Sequence, residues 1–277
     1  MKRTFFLILI IITLVISGYS QNDIIAILHT NDTHSQIEPF EYKEMGTIGG
    51  VLRRFELIKQ MRGSYPQLLL LDAGDFSQGT PYFNFFKGYA EIELMNMMGY
   101  DAVTLGNHEF DNGVEALAER LKKAEFDIVC ANYTFKNKLL KREIKPYIIL
   151  ERNGLRIGIF GLATDLNGLT SPETLELVTY HNAIETAQKL VPILRNKLKC
   201  DLIICLSHLG FDSEDPGNPV CDTTLAKEVG DIDIIIGGHT HTFLSEPFFI
   251  NGVRIVQLGN KGKYIGELIV SKNKDNE

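Results

Sequence analysis

The stretch from Gly106 to Asp111 places an amide, an imidazole and two carboxylates within six residues. The groups that could do chemistry are those of Asn107, His108, Glu109 and Asp111. Imidazole and carboxylate groups bind metal ions and move protons, and an amide oxygen can complete a ligand set. A polar turn without chemistry is the alternative, because a motif this short is only a hypothesis. The other polar clusters in the chain therefore decide the interpretation.

Four more clusters of ligand-type side chains each follow a short apolar run. They contain Asp32 and His34, Asp75, His208, and His239 and His241. A single histidine is more often a structural residue that has found a hydrogen-bond partner. Five clusters at the same kind of position make that explanation poor for the whole set, and we interpret them as parts of one site.

The apolar runs before these clusters predict buried strands. They are 24–28, 68–71, 101–105, 202–206 and 232–236. Apolar residues at helical spacing predict helices between them, at 51–62, 91–98, 112–124 and 182–198. Pro192 should kink the last of these helices. Alternating strands and helices indicate an α/β fold, in which ligands bind where the carboxyl ends of the strands meet.

Three other segments complete the prediction of secondary structure. Asn153-Gly154, between apolar runs, predicts the turn of a β-hairpin. Residues 134–145 are rich in Lys and Arg, and we interpret them as an exposed connection. The segments 253–258 and 264–270 are predicted to be closing antiparallel strands. No internal repeat or second domain is indicated.

The ligand types indicate which metals the site would bind. Six of the seven candidates are Asp or His, and the seventh is Asn; they are Asp32, His34, Asp75, Asn107, His208, His239 and His241. This mixture suits zinc, manganese or iron and is too rich in nitrogen for calcium. Seven ligands exceed the tetrahedral demand of one zinc but fit two metals that share a bridging carboxylate. Two metals about 3.5–4 Å apart can clamp the attacking and leaving oxygens of a phosphoryl transfer.

The N-terminus has the three parts of a secretory signal peptide. Lys2 and Arg3 precede the apolar run 5–16, and small residues follow at 17–20. We expect residues 1–20 to be removed, leaving residues 21–277 as one exported domain without a stable membrane anchor, in the periplasm or outside the cell. An uncleaved anchor is the alternative, but the run is short for a membrane span of ~20 residues.

Composition and charge limit the classes of partner. The chain has 277 residues, of which 44% are hydrophobic and 23% charged, as in a folded globular protein. A formal charge of -7 argues against binding to nucleic acid, whereas bound metals would let an acidic protein handle phosphate esters. Export permits disulfides, and Cys200 and Cys221 could pair, although the sequence does not decide the connectivity among four cysteines.

The ordered motifs resemble those of the calcineurin-like metallophosphoesterases. They are Asp32-x-His34, Gly74-Asp75, Gly106-Asn-His-Glu109, His208 and Gly238-His-x-His241. Three of the motif sequences are similar to those of the 5′-nucleotidase branch: Asn31-Asp-Thr-His34, Gly106-Asn-His-Glu-Phe-Asp111 and Gly237-Gly-His-Thr-His241. The resemblance covers nearly all of residues 21–277. It implies a four-layer α-β-β-α sandwich, with two central sheets and helices on both outer faces.

The resemblance also implies a role for each side chain. Asp32, His34 and His241 would bind the first metal; Asn107, His208 and His239 would bind the second; and Asp75 would bridge the two. Metal-activated hydroxide would attack phosphorus in line. His108 would stabilise the transferring phosphoryl group or assist the leaving oxygen, and Asp111 would hold its imidazole and favour the charged form. Glu109 receives no chemical role, and we interpret it as bracing its loop.

The activity that the resemblance implies is hydrolysis of phosphate monoesters, with nucleotides as the expected substrates. A phosphodiesterase acting on cyclic nucleotides or nucleotide sugars is an alternative, as is a non-catalytic metal-binding subunit. The 5′-nucleotidases of the family carry a second, C-terminal domain that makes most contacts with the nucleoside, and this sequence ends at Glu277 after the metal domain. We therefore expect no base-recognition residue in it; a separate polypeptide could supply the missing domain.

Overall fold

Strands and helices alternate along the chain in a computed structural model that describes residues 24–213 and 220–271. The predicted signal peptide lies outside these residues. The strands are β1 (Ile24–Thr30), β2 (Phe40–Glu41), β3 (Thr47–Ile48), β4 (Leu69–Asp72), β5 (Ala102–Val103), β6 (Asp127–Val129), β7 (Tyr133–Phe135), β8 (Ile144–Lys145), β9 (Tyr147–Arg152), β10 (Leu155–Ala163), β11 (Val178–Tyr180), β12 (Leu202–His208), β13 (Ile234–Gly237), β14 (Phe248–Ile250), β15 (Val253–Val256) and β16 (Gly266–Ser271). The helices are α1 (Val51–Ser64), α2 (Pro81–Phe86), α3 (Tyr89–Met98), α4 (Gly113–Leu121), α5 (Lys138–Glu143), α6 (Pro172–Leu177), α7 (Ala183–Pro192) and α8 (Asp222–Glu228).

Two six-stranded sheets hold most of these strands. The first sheet has the order β16-β1-β4-β5-β6-β8, and the second has the order β14-β15-β13-β12-β10-β9. In the first sheet β1, β4, β5, β6 and β8 run parallel and only β16 is antiparallel. In the second sheet β10, β12, β13 and β15 run parallel, between antiparallel edge strands β9 and β14. The strands that precede the polar clusters are therefore neighbours, three in one sheet and two in the other.

The two sheets pack face to face, which forms the centre of a four-layer sandwich. Alternate residues of one strand face opposite sides: Ile25 and Ile27 of β1 lie in the core between the sheets, with Ile204 of β12. Ala26 and Leu28 lie in the core on the outer side of the first sheet. A third core lies on the outer side of the second sheet, under α7 and α8. The expected α/β fold and its α-β-β-α layers are confirmed.

Local sequence explains where the main helices begin and end. Asn182 accepts a hydrogen bond from the backbone N–H of Glu185 and so caps α7. The regular helix ends at Pro192, where a π-helical turn over Ile193–Lys197 takes over, because proline cannot donate the backbone hydrogen bond of a helix interior. The Asn153-Gly154 hairpin forms as predicted: both residues have positive φ, at 48° and 74°, and Arg152 pairs with Leu155.

Two predictions of secondary structure were wrong. The basic segment 134–145 is not an exposed connection, since it contains part of β7 together with α5 and β8. Asn137 caps α5, and Leu140 is fully buried, so one apolar side chain outweighs the flanking charges. Residues 253–258 and 264–270 do not pair with each other, because β15 pairs with β13 and β14 in one sheet and β16 pairs with β1 in the other.

The four cysteines lie in the interior of the protein. All four are free and buried, so Cys200 and Cys221 do not form a disulfide in this structure. The cysteines therefore act as small core residues.

Over residues 24–213 and 220–271, the structure contains no helix that is long and apolar enough to cross a membrane.

The core between the sheets should dominate stability. Ile204 is fully buried there, whereas Ile269 on β16 is 49% exposed. We expect Ile204→Ala to lower the free energy of unfolding by about 2–5 kcal/mol, through lost burial and the cavity left behind, and Ile269→Ala to change it by at most about 0.5 kcal/mol. Urea denaturation measures both. Equal losses in the two variants would contradict this packing of the sheets.

Candidate metal centre

The polar side chains that follow five strands converge where the two sheets end. Parallel pairing aligns β1 with β4, β4 with β5, and β12 with β13, so their carboxyl ends lie side by side. Ligand-type atoms gather there within 4.8 Å of one another in three overlapping groups. They are Asp32, His34 and His241; His34, Asp75 and His108; and Asp75, His208 and His239.

The first group lies around Asp32, which is completely buried. Its Oδ1 is 3.4 Å from Nε2 of His241 and 3.9 Å from Nε2 of His34. The same Nε2 atoms of the two histidines are 2.9 Å apart. Three ligand atoms thus point at one small volume, which is the arrangement expected of a metal subsite.

The third group lies around Asp75, which also belongs to the middle group with His34 and His108. Oδ2 of Asp75 is 3.1 Å from Nε2 of His208, and the rings of His208 and His239 have centroids 5.2 Å apart. Asn107 belongs to the turn after β5 and is 4% exposed. The structure therefore brings together six of the seven residues that the sequence proposed as ligands. It places the seventh, Asn107, next to His108, whose backbone N–H donates to Asp75.

Two features show that these residues fit a bound cation. Oδ1 of Asn107 is buried and accepts no hydrogen bond from the described residues, although buried polar atoms normally have a partner. Nδ1 of His208 donates to the carbonyl oxygen of Ala73 at 2.7 Å. That bond engages Nδ1 and leaves Nε2 turned towards the site, as in metal-binding histidines.

The backbone at the site adopts conformations that L-residues seldom use. Five of the proposed ligands have φ between 48° and 75°: Asp32, His34, Asp75, His239 and His241. Such conformations concentrate at functional sites, where the surrounding structure holds them. Gly106 is needed for a different reason, because a Cβ there would lie 2.1 Å from Oδ1 of Asp75.

His108 lies beside the ligand groups and has its own partner. Its Nδ1 donates to Oδ2 of Asp111 at 2.8 Å, at a partly exposed position. Its backbone N–H donates to Oδ1 of Asp75 at 2.9 Å. The hydrogen bond to Asp111 raises the pKa of His108 above its usual value of 6.5, against the opposing effect of burial. The geometry suits a side chain that donates a proton or a hydrogen bond.

Buried charge gives the site an affinity for cations. Burial opposes ionisation of Asp75, but the nearby histidines outweigh it and lower the pKa of this carboxyl. Burial likewise opposes the charge on His208, but Asp75 and Asp32 outweigh it and raise its pKa to about 10. Burial lowers the pKa of His239 to about 4. The ionised carboxylate of Asp75 beside the neutral imidazole of His239 offers the oxygen and nitrogen atoms that a metal site uses.

Two supporting residues, Asn31 and Asn260, were not predicted from the sequence. Asn31 donates from Nδ2 to Oδ2 of Asp32 at 2.6 Å and to the carbonyl oxygen of Gly259 at 2.7 Å. Nδ2 of Asn260 lies 3.0 Å from Nδ1 of His241, within hydrogen-bond distance. The position of Asn31 beside Asp32 was a signal that could have been used; Asn260 is distant in sequence from the ligands and carries none.

Comparison with known proteins settles the family. The model of the calcineurin-like phosphoesterase family matches residues 25–243. This chain belongs to that family. The resemblance inferred from the motifs is confirmed, and the family is one of metal-dependent phosphoester hydrolases.

Several relatives of this calcineurin-like phosphoesterase are named for nucleotides. Human 5′-nucleotidase is 36% identical over 272 residues, which cover 88% of this chain and 46% of that protein. The trifunctional nucleotide phosphoesterase YfkN of Bacillus subtilis is 33% identical over 282 residues, which cover 89% of this chain and 18% of that protein. The crystal structure of a 5′-nucleotidase precursor from Thermus thermophilus superposes with a TM-score of 0.81 at 35% identity, over 92% of this chain and 52% of that one. The chain spans about half of these relatives or less.

The pair formed by His108 and Asp111 gives a direct prediction. In metal-free protein we expect Asp111→Asn to lower the pKa of His108, because a neutral amide no longer favours the imidazolium. Titration of the histidine signals by NMR measures the shift. Glu115→Gln removes an exposed carboxylate from the next helix and should leave the pKa of His108 unchanged. An unchanged value in Asp111→Asn would contradict the pairing.

Proposed function

We propose that this phosphoesterase is an exported two-metal enzyme that hydrolyses phosphate monoesters, with nucleotides as its substrates. The observation that carries the proposal is the chain of three overlapping ligand groups, in which His34 and Asp75 are each shared by two groups and His108 belongs to the middle one. A single closed structural site would leave no reason for a partly exposed, carboxylate-paired histidine beside it. Hydrolysis at a two-metal centre accounts for both features.

Each metal would be held by residues from both sheets. Asp32, His34 and His241 would hold one ion; Asn107, His208 and His239 would hold the other; and Asp75 would bind both. Zinc and manganese suit these ligands best. When bound, two divalent ions supply a Lewis acid for the phosphoryl oxygens and a nucleophile at neutral pH.

The protein itself would supply orientation and a proton. His108 would donate a hydrogen bond from Nε2 to an oxygen of the phosphoryl group or to the leaving oxygen, since Nδ1 is engaged by Asp111. Asp111 would keep the imidazole in the charged form through that bond. Asn31 and Asn260 would hold Asp32 and His241 in position.

The substrate class rests on the relatives. Relatives at 33–36% identity are named 5′-nucleotidase or nucleotide phosphoesterase, which favours a nucleotide over other phosphate esters. The Bacillus subtilis relative is named a trifunctional nucleotide phosphoesterase, a name that is not limited to monoesters, so hydrolysis of cyclic nucleotides or nucleotide sugars remains the second candidate. None of the comparisons supports a separate polypeptide that would supply a further domain.

The proposal of export also rests on sequence and relatives. The first 20 residues have the parts of a signal peptide, and snake venom 5′-nucleotidases are 35–36% identical to this chain. N-terminal sequencing of protein secreted from a host cell would test it. A mature N-terminus near residue 21 is expected.

Release of phosphate tests the reaction. We expect the metal-depleted chain to be inactive, and zinc or manganese to restore hydrolysis of a nucleoside monophosphate. Parallel assays should use a cyclic nucleotide and a nucleotide sugar. A higher kcat/KM for either diester than for the nucleoside monophosphate would favour the second candidate. Activity that survives complete removal of metal would contradict the proposed mechanism.

Two substitutions should fail in different ways. Asp75→Asn removes the proposed bridge, so it should lower both the metal content and the rate. His108→Ala should retain both metals and lower kcat by about 10²- to 10⁴-fold, the usual contribution of a positioned acid–base group. Elemental analysis of each purified variant, beside its kinetics, separates the two effects. Loss of a metal from His108→Ala would show that its role is misassigned.

A further inference from the structure

Glu109 is a completely buried carboxylate that accepts three backbone hydrogen bonds. Its Oε2 accepts from the N–H of Gly106 at 2.7 Å and from the N–H of Asp75 at 2.9 Å. Its Oε1 accepts from the N–H of Ser77 at 3.1 Å. One side chain therefore holds the loop of the proposed bridging ligand and the loop that carries His108.

The sheet does not hold these two loops together beyond the strand ends. The pairing of β4 with β5 comprises Leu71 with Ala102 and Asp72 with Val103, and the bond from the N–H of Thr104 to the carbonyl of Asp72 extends it by one step. Beyond Thr104, the carboxylate of Glu109 connects the two loops in place of backbone hydrogen bonds between strands. It fixes how far the two loops lie apart.

Arg120 of α4 makes a second connection between the same loops. Its side chain is completely buried. Nη2 donates to the carbonyl oxygen of Glu109 and lies 3.4 Å from Oγ of Ser77. Burial lowers the pKa of this guanidinium, and the nearby charge of Glu109 opposes the shift. The two buried groups therefore act on both loops from one side.

We propose that Glu109 and Arg120 form a clamp that positions His108 against Asp75 for catalysis. The contact that the clamp preserves is the bond from the backbone N–H of His108 to Oδ1 of Asp75, at 2.9 Å. Both groups act through other residues and touch no substrate. The inference rests on the proposed catalytic role of His108.

The chemistry of the clamp requires a carboxylate. An ionised carboxylate has two acceptor oxygens and no donor, which matches three N–H donors. Glutamine has the same shape, but its NH₂ group would face one of these N–H groups and leave it without an acceptor. A buried polar network is rigid only when every member is satisfied. Glu109→Gln should therefore loosen the loops without removing volume from the core.

The test compares Glu109→Gln with Asp101→Asn at saturating zinc. Asp101 is a matched control, because its Oδ2 accepts a hydrogen bond from the backbone N–H of Leu70 at 2.8 Å and so links β4 to the start of β5, at the end of these strands away from the site. We expect Glu109→Gln to lower kcat about 10- to 100-fold, the usual cost of losing a group that supports a metal site, with KM unchanged. Asp101→Asn should retain the wild-type kcat.

A double-mutant cycle with His108→Ala distinguishes positioning from general destabilisation. If the clamp acts through His108, Glu109→Gln should cost little further rate in a chain that already lacks this imidazole. Losses that multiply in the double variant, or equal losses in Glu109→Gln and Asp101→Asn, would overturn the clamp. If His108→Ala itself lost no rate, the proposed function would fail instead. Circular dichroism of each variant establishes that it is folded.

Discussion

The site depends on the burial of two carboxylates without a lysine or arginine partner. Among the described residues, Asp32 and Asp75 form ion pairs only with histidines. Burying a carboxylate is costly unless a positive charge and hydrogen bonds compensate it. Protonated histidines can provide that charge, and divalent cations can provide more of it while the histidines become neutral ligands. The electrostatics of the folded chain thus create the demand that a metal satisfies.

The arrangement of the strands puts these charges in one place. The proposed ligands follow three neighbouring parallel strands of one sheet and two of the other, and the apolar core between the sheets fixes the distance between the two sets of strand ends. Ile27, Leu71 and Ile204 belong to that core, a few residues before the ligands. Burial of these side chains offsets the cost of gathering like charges and of holding five ligands at positive φ.

Backbone bonds between loops hold the strained residues. The N–H of Asp32 donates to the carbonyl of Gly74 at 2.9 Å, and the N–H of His34 donates to that of Asp75 at 3.0 Å. The loops after β1 and β4 therefore support each other in the way that Glu109 supports the loops after β4 and β5. Rigid loops keep ligand and catalytic side chains in register, which is what orientation at a reacting centre requires.

The sequence by itself determined the α/β class, the five strand-end clusters and the family, because residue types and spacing along one chain carry that information. The secondary structure of segment 134–145 and the pairing partners of β15 and β16 were decided only in the tertiary structure. In the first case the burial of Leu140 outweighs the charged local composition, and in the second the pairing depends on strands that are distant in sequence. The same holds for Asn260 and Arg120, whose contacts lie 19 and 11 residues away along the chain. Such contacts arise from packing between loops, and no local pattern records them.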